Sequence, residues 1–147
     1  MKILVINGPN LQLLGKRKPE VYGSETLEGM QKRLEEVGRE LKIKISFFQS
    51  NSEGEIVDII GSSIKNEVDG IIINPAAYTH TSIAIHDALE SVDLPAIEVH
   101  ISNIHRREEF RRKSMTAPAC IGQISGLGTD GYEWALRAMV GHLKKQT

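Results

Sequence analysis

Residues 70–100 read GIIINPAAYTHTSIAIHDALESVDLPAIEVH. Gly70–Asn74 is an apolar run stopped by Pro75, and Ala96–His100 is a second such run, with a helix predicted between them from about residue 82 to 92. Two short apolar strands joined through a helix form a βαβ unit, whose strands run parallel and are buried on both faces. The same alternation continues outward in both directions. Lys2–Asn7 (KILVIN) reads as a buried strand, followed by a polar loop and a helix from about residue 24. In that helix Leu27, Met30, Leu34, Val37 and Leu41 make one apolar stripe. Residues 43–49 form the next strand, and Ser52 with Glu55 makes a capping box opening a helix through Ile56, Ile59, Ile60 and Ile64. A fifth strand is predicted at 119–124, and a last helix from near Asp130 carries Leu136, Met139, Val140 and Leu143. The pattern predicts an α/β fold, a five-stranded parallel sheet with helices on both faces, forming a single domain over residues 1–147.

Composition narrows the partners. The 147 residues are 40% hydrophobic and 25% charged, ordinary values for a globular chain, and no repeat, linker or low-complexity stretch divides them. A net charge of -1 offers nucleic acid or an anionic membrane no electrostatic footing. The single cysteine, Cys120, permits neither an intrachain disulfide nor a thiolate metal cage, and its apolar neighbours predict a buried strand position. The first apolar run is too short for a signal-peptide core, and no run approaches the ~20 residues of a membrane span. A cytoplasmic protein is expected.

In parallel α/β sheets ligands bind beyond the carboxyl ends of the strands. This selects residues 7–22, 74–81 and 100–112, which hold most of the unusual chemistry. The first segment interleaves apolar residues with the cations Lys16, Arg17 and Lys18 between Gly15 and Gly23, glycines able to hinge a lid. Tyr22 stands five residues after Arg17. A free tyrosine is a poor base at neutral pH, and a permanently charged guanidinium beside it favours the phenolate. The alternative is a solvated basic loop with Tyr22 lying on the surface.

In the second segment Pro75 confines the backbone and Ala76 and Ala77 leave room for a ligand, while Asn74 and His80 offer hydrogen bonds to hydroxyl groups. Thr81 or Ser82 is expected to cap the following helix. In the third, Glu98 and His100 point to one face of their strand, so the carboxylate can orient the imidazole. A charge inside a buried strand is costly unless paired, which makes Glu98 itself a clue. Arg107 and Arg111, four apart, would share a helical face suited to a small carboxylate, with Arg106, Arg112 and Lys113 solvated.

Two other chemistries are disfavoured. Among His80, His86, His100, His105 and His142 there is no His-x-x-x-His spacing and no carboxylate in a metal-like pattern, so no metal is expected. Gly126–Gly131 matches the dinucleotide fingerprint G-x-G-x-x-G, but only 16 residues follow it, and they read as one helix without the acidic strand the motif requires. Those glycines are expected to serve a tight strand-to-helix turn.

Three stretches, NGPNLQLLGKRKPEVYG at 7–23, INPAAYTHTSIAIHDAL at 73–89 and EVHISNIHRREEFRRKS at 98–114, resemble type II 3-dehydroquinate dehydratase, and the resemblance spans essentially the whole chain. It implies a flavodoxin-like fold without flavin. It also implies trans-dehydration of 3-dehydroquinate to 3-dehydroshikimate through an enolate, in the shikimate or quinate pathway. By motif position Tyr22 would be the tyrosinate base, aided by Arg17 with Arg107 nearby. His100 would be the acid supported by Glu98, and Asn10 would position a water at the enolate. Asn74, His80, Ile101, Ser102 and Arg111 would hold the substrate, Ile101 and Ser102 partly through main-chain amides. Asp87 would reach it from a neighbouring subunit, implying trimers assembled into a dodecamer. No metal or organic cofactor is called for, and no lysine sits in the apolar setting that a Schiff-base mechanism needs. Gln12 stands where the family often carries asparagine, which leaves the packing of that loop open. The competing reading is a binding or signalling module that uses the same loops for flavin or phosphate.

Overall fold

The computed structural model describes residues 1–16 and 18–147. Its strands are β1 (Lys2–Asn7), β2 (Lys44–Gln49), β3 (Gly70–Asn74), β4 (Ala96–His100) and β5 (Gly122–Ser125). All pair in parallel, in the order β2-β1-β3-β4-β5. This is the doubly wound, flavodoxin-like order, with its switch point between β1 and β3. The helices are α1 (Pro19–Tyr22), α2 (Leu27–Leu41), α3 (Glu53–Ser62), α4 (Ile83–Val92) and α5 (Asp130–Gln146). None is long and apolar enough to cross a membrane.

Strand parity divides the core in two. Ile3 and Val5 of β1, Ile72 of β3 and Ile97 and Val99 of β4 face α2 and α5. Leu4 and Ile6, Ile71 and Ile73, and Ala96 face α3 and α4. The three interior strands are therefore buried almost throughout and read as continuous apolar runs, whereas the edge strands β2 and β5 are only partly covered. Side-chain caps fix the helix starts: Thr26, Ser52 and Ser82 accept from the amides of Gly29, Glu55 and Ile85. Thr81 makes no such cap.

Several boundaries differ from the sequence reading. The helix expected from residue 24 starts at Leu27, because Thr26 is its cap. Residue 43 precedes β2. Ile64 lies beyond α3 and is 61% exposed. The fifth strand begins at Gly122 rather than 119, because Pro118 sits in a 3-10 turn, Ala117–Ala119, that the strand cannot enter. Cys120 is thus half-buried after that turn rather than within a strand. Burial pushes its thiol up to about 12, which leaves it inert at neutral pH. Gly126 and Gly128 take positive φ (93° and 62°) in the turn from β5 into α5.

Ile72 is 1% exposed at the centre of the sheet, in register with Val5 and Ile97. Ile72→Ala should cost about 2–5 kcal/mol. The check is urea unfolding, with a lower midpoint and an unchanged slope.

Candidate active site

At the carboxyl edge of the sheet a cleft of about 220 Å³ opens beside the switch point. It is smaller than the ~300–1,000 Å³ of drug-sized sites, a size that suits a small molecule. Most residues selected from the sequence meet in it: Asn10 and Tyr22 from the first loop, Asn74 and His80 after β3, and His100, Ile101, Ser102, Arg107 and Arg111 after β4. Pro9, Leu11, Ala76, Ala77 and Ile104 complete the wall. Gly8 makes the close approach of the β1 and β3 loops possible, since a Cβ there would stand 2.5 Å from the Pro75 carbonyl oxygen.

Tyr22 is not on a solvated loop. It ends the one-turn helix α1 and packs half-buried against the α2/α5 side of the core. Its hydroxyl accepts from Arg107 Nη1 at 2.9 Å, and the same nitrogen reaches Ser102 Oγ at 3.4 Å. Gly15 and Gly23, which bracket the segment, have φ of 85° and 80°. Arg17 lies outside the described residues.

His100 and Glu98 come from the opposite, α3/α4 side. Glu98 is fully buried and His100 is 4% exposed. Four donors converge on the Glu98 carboxylate: His100 Nε2 at 2.9 Å, Ser114 Oγ at 2.9 Å, Gln123 Nε2 at 2.7 Å, and the Thr116 hydroxyl. Burial alone would push this carboxyl up, but the hydrogen bonds outweigh it and hold it below the usual carboxylate value. Because the anion can only accept, His100 carries its proton on Nε2 there, and Nδ1 remains for a ligand. Thr79 Oγ1 stands 3.4 Å from the same Nε2 and 3.2 Å from the Thr116 hydroxyl.

His80 lies beside His100, with ring centroids 6.4 Å apart. Its Nδ1 is 2.7 Å from the Lys113 carbonyl, so Nδ1 is the donor and Nε2 the free nitrogen. Burial lowers the His80 imidazole below its ordinary value, and the Arg111 charge acts in the same direction. The ring is therefore neutral at pH 7, and Nε2 is an acceptor.

Some expectations need correction. Arg107 and Arg111 do not share a helical face; they belong to separate 3-10 turns, Ile104–Arg106 with Arg107 as its cap and Glu109–Arg111. Both still reach the cleft, and Arg111 Nε is held by Glu108 at 2.9 Å. Arg106 lines a neighbouring groove, and Arg112 and Lys113 are exposed. Asp87 is exposed on α4, outside the cleft of its own chain. Carboxylates do stand beside a histidine: His86, Asp87 and Glu90 bring ligand atoms within 4.8 Å of one another. The His86 imidazole there is engaged by the Met115 carbonyl at 2.8 Å and by Glu90 at 3.3 Å. Gln12 fits its loop, accepting from Gln49 Nε2 at 3.1 Å.

Sequence reasoning missed the residues that hold these groups. Ser114, Thr116 and Gln123 serve Glu98, and Asn51 Oδ1 accepts the Asn10 amide at 2.9 Å. The only signal was indirect, since a buried carboxylate demands donors without naming them.

Fold and cleft together define a doubly wound α/β protein with a small polar site, in which a tyrosine hydroxyl bound to a guanidinium and a histidine backed by a buried glutamate line one cavity. Comparison narrows the class. Residues 1–140 match the family model described as dehydroquinase class II. A 3-dehydroquinate dehydratase of Endomicrobium trichonymphae is 62% identical over 139 residues, 95% of this chain and 96% of its own. One from Clostridium perfringens (strain 13 / Type A) is 56% identical over 146 residues, 99% of this chain and 100% of its own. The crystal structure of a type II dehydroquinase from Butyrivibrio crossotus superimposes with a TM-score of 0.93 at 51% identity, covering 95% of this chain and 97% of that one. The chain belongs to the class II dehydroquinase family.

Because the folded state holds the Glu98 carboxyl below its unfolded value, its contribution to stability is complete above the unfolded carboxylate pKa, ~4.3, and is lost as pH falls through the folded one. The stability advantage of the wild type over Glu98→Gln should therefore shrink on going from pH 7 to pH 3. Urea midpoints across that range check this, and a constant difference would contradict it.

Proposed function

We propose that this protein is a hydro-lyase, a type II 3-dehydroquinate dehydratase that converts 3-dehydroquinate to 3-dehydroshikimate in the shikimate or quinate pathway. The observation that carries the reading is the pairing, in one small cleft, of a guanidinium-bound Tyr22 hydroxyl with a Glu98-backed His100. The reaction needs a base for a weakly acidic proton beside a ketone, a place for enolate charge, and an acid for the departing hydroxyl.

Tyr22, as phenolate, takes the C2 proton, and the C–H electrons move into the enolate. Arg107 donates to the phenolic oxygen at 2.9 Å, so a permanent positive charge stands against the oxygen assigned as base, and Arg17 belongs to the same loop in the sequence. The enolate then collapses to the C1–C2 double bond and expels the C1 hydroxyl. His100, entering this step as an imidazolium with its Nε2–H held by Glu98, protonates that group from Nδ1, so it leaves as water. Solvent returns the proton from Tyr22 to His100. Glu98, fixed by its four donors, orients the imidazole throughout.

Asn10, in left-handed backbone (φ 71°), positions a water at the enolate oxygen. Neutral His80 accepts from a substrate hydroxyl, Asn74 and the Ile101 and Ser102 amides add further bonds, and Arg111 takes the carboxylate. Asp87 reaches the cleft of an adjacent subunit, within trimers built into a dodecamer. Its exposure on α4 one turn from Ile83, itself 60% exposed, supports that placement. The protein acts in the cytoplasm as one catalytic domain.

An absorbance assay for the conjugated enone product tests the reading directly. Tyr22→Phe and His100→Ala should each lower kcat by about 10²–10⁴-fold while substrate still binds. Turnover within a few-fold of wild type would remove the assigned roles. Borohydride added with substrate should leave activity intact, since no lysine imine forms.

A further inference from the structure

The hydroxyl of Tyr132, on α5, is fully buried between two asparagines that end adjacent strands in register, Asn7 of β1 and Asn74 of β3. It lies 2.6 Å from Asn7 Oδ1 and 2.8 Å from Asn74 Nδ2. Asn74 Oδ1 in turn accepts from the Ala76 amide at 3.0 Å. Asn74 lines the cleft; Asn7 and Tyr132 do not. We propose that Tyr132 is a positioning residue, which through the chain Asn7–Tyr132–Asn74 fixes the Asn74 amide so that it presents an N–H donor to an oxygen of the bound ligand.

Hydrogen-bond directions require this. A phenol has one proton, and here it goes to Asn7 Oδ1, so toward Asn74 the oxygen can only accept. Turning the Asn74 amide over would set its oxygen against the phenol oxygen and its NH₂ against the Ala76 N–H. Both contacts would then be repulsive in a site closed to water. Turning the Asn7 amide instead would aim two NH₂ groups at the phenol oxygen and leave the phenol proton without an acceptor. In the observed sense the one defect is Asn7 Nδ2, a buried donor with no partner among the described residues. One unmet donor is the smaller cost of the two. Asn74 Nδ2 has two protons, and the one not given to Tyr132 is available at the cleft.

This inference rests on the dehydratase reading and deepens it. Tyr132→Phe should raise KM for 3-dehydroquinate about tenfold while changing kcat less than about threefold. In an Asn74→Ala background the same substitution should move KM by less than about twofold, because the group it orients is gone. A merely structural tyrosine would lower Tm equally in both backgrounds and show no such coupling. Asn7→Leu removes the far end of the chain without touching the cleft and should also raise KM, by about threefold or more; it serves if Tyr132→Phe does not fold. KM within twofold of wild type in the folded variants, or an effect of Tyr132→Phe undiminished by Asn74→Ala, overturns the proposal. Wild-type protein that fails to turn over 3-dehydroquinate overturns the functional reading as well, a result distinct from a wild type that works beside variants that match it.

Discussion

A carboxylate in the middle of an interior strand has lost its water and must recover every hydrogen bond from protein. Glu98 does so with donors from its own strand (His100), from the neighbouring edge strand (Gln123) and from the loop ahead of that strand (Ser114, Thr116). Much of the local architecture follows from this demand. Residues 114–116 must fold down over β4, which displaces the start of β5 to Gly122 and places the 3-10 turn at Ala117–Ala119, whose first amide is tied to Ser114 Oγ at 2.9 Å. The imidazole of His100 gains an orientation set from behind, while its other nitrogen stays free.

The two-residue repeat of a strand then distributes the chemistry. Glu98 and His100 fall on the face covered by α3 and α4, whereas Asn7 and Asn74 fall on the face covered by α2 and α5 and are met there by Tyr132. The cleft straddles the sheet edge, so each wall is held by its own polar network. A carboxylate collects donors on one side, and a phenol directs two amides on the other. Among the described residues, neither network shares a side chain with the other.

The sequence disclosed the interior strands most fully, because burial on both faces writes itself as an unbroken apolar run; Lys2–Asn7, Gly70–Asn74 and Ala96–His100 are all read without error. Edge strands carry a weaker pattern, and Pro118 shifted the start of β5 in a way that hydrophobicity alone does not register. At the site, the Glu98–His100 pair was legible from parity across two residues. Its other partners lie 16, 18 and 25 residues away, and nothing local marks them. Tyr132 was the hardest to see. On an amphipathic helix it reads as core, and only the fold brings its hydroxyl to Asn7, 125 residues distant. Arg107 and Arg111 reached the cleft for a reason other than the predicted one, through two 3-10 turns in place of a shared helical face.

Backbone strain shows what the β3 loop is shaped to do. Ala76 has φ 53°, a left-handed conformation that costs a non-glycine residue roughly 1–3 kcal/mol. Alanine has no polar side chain with which to form a compensating bond. The conformation does, however, aim the Ala76 amide at Asn74 Oδ1. On the other side the Gly8 amide donates to the Asn74 carbonyl at 2.8 Å, in a contact too tight for any Cβ. Asn74 is thus held by its backbone, by both ends of its side chain and by a strained neighbour. Such strain persists only where the surroundings over-determine it. Here they do so around the side chain whose orientation decides whether the cleft offers a donor or an acceptor.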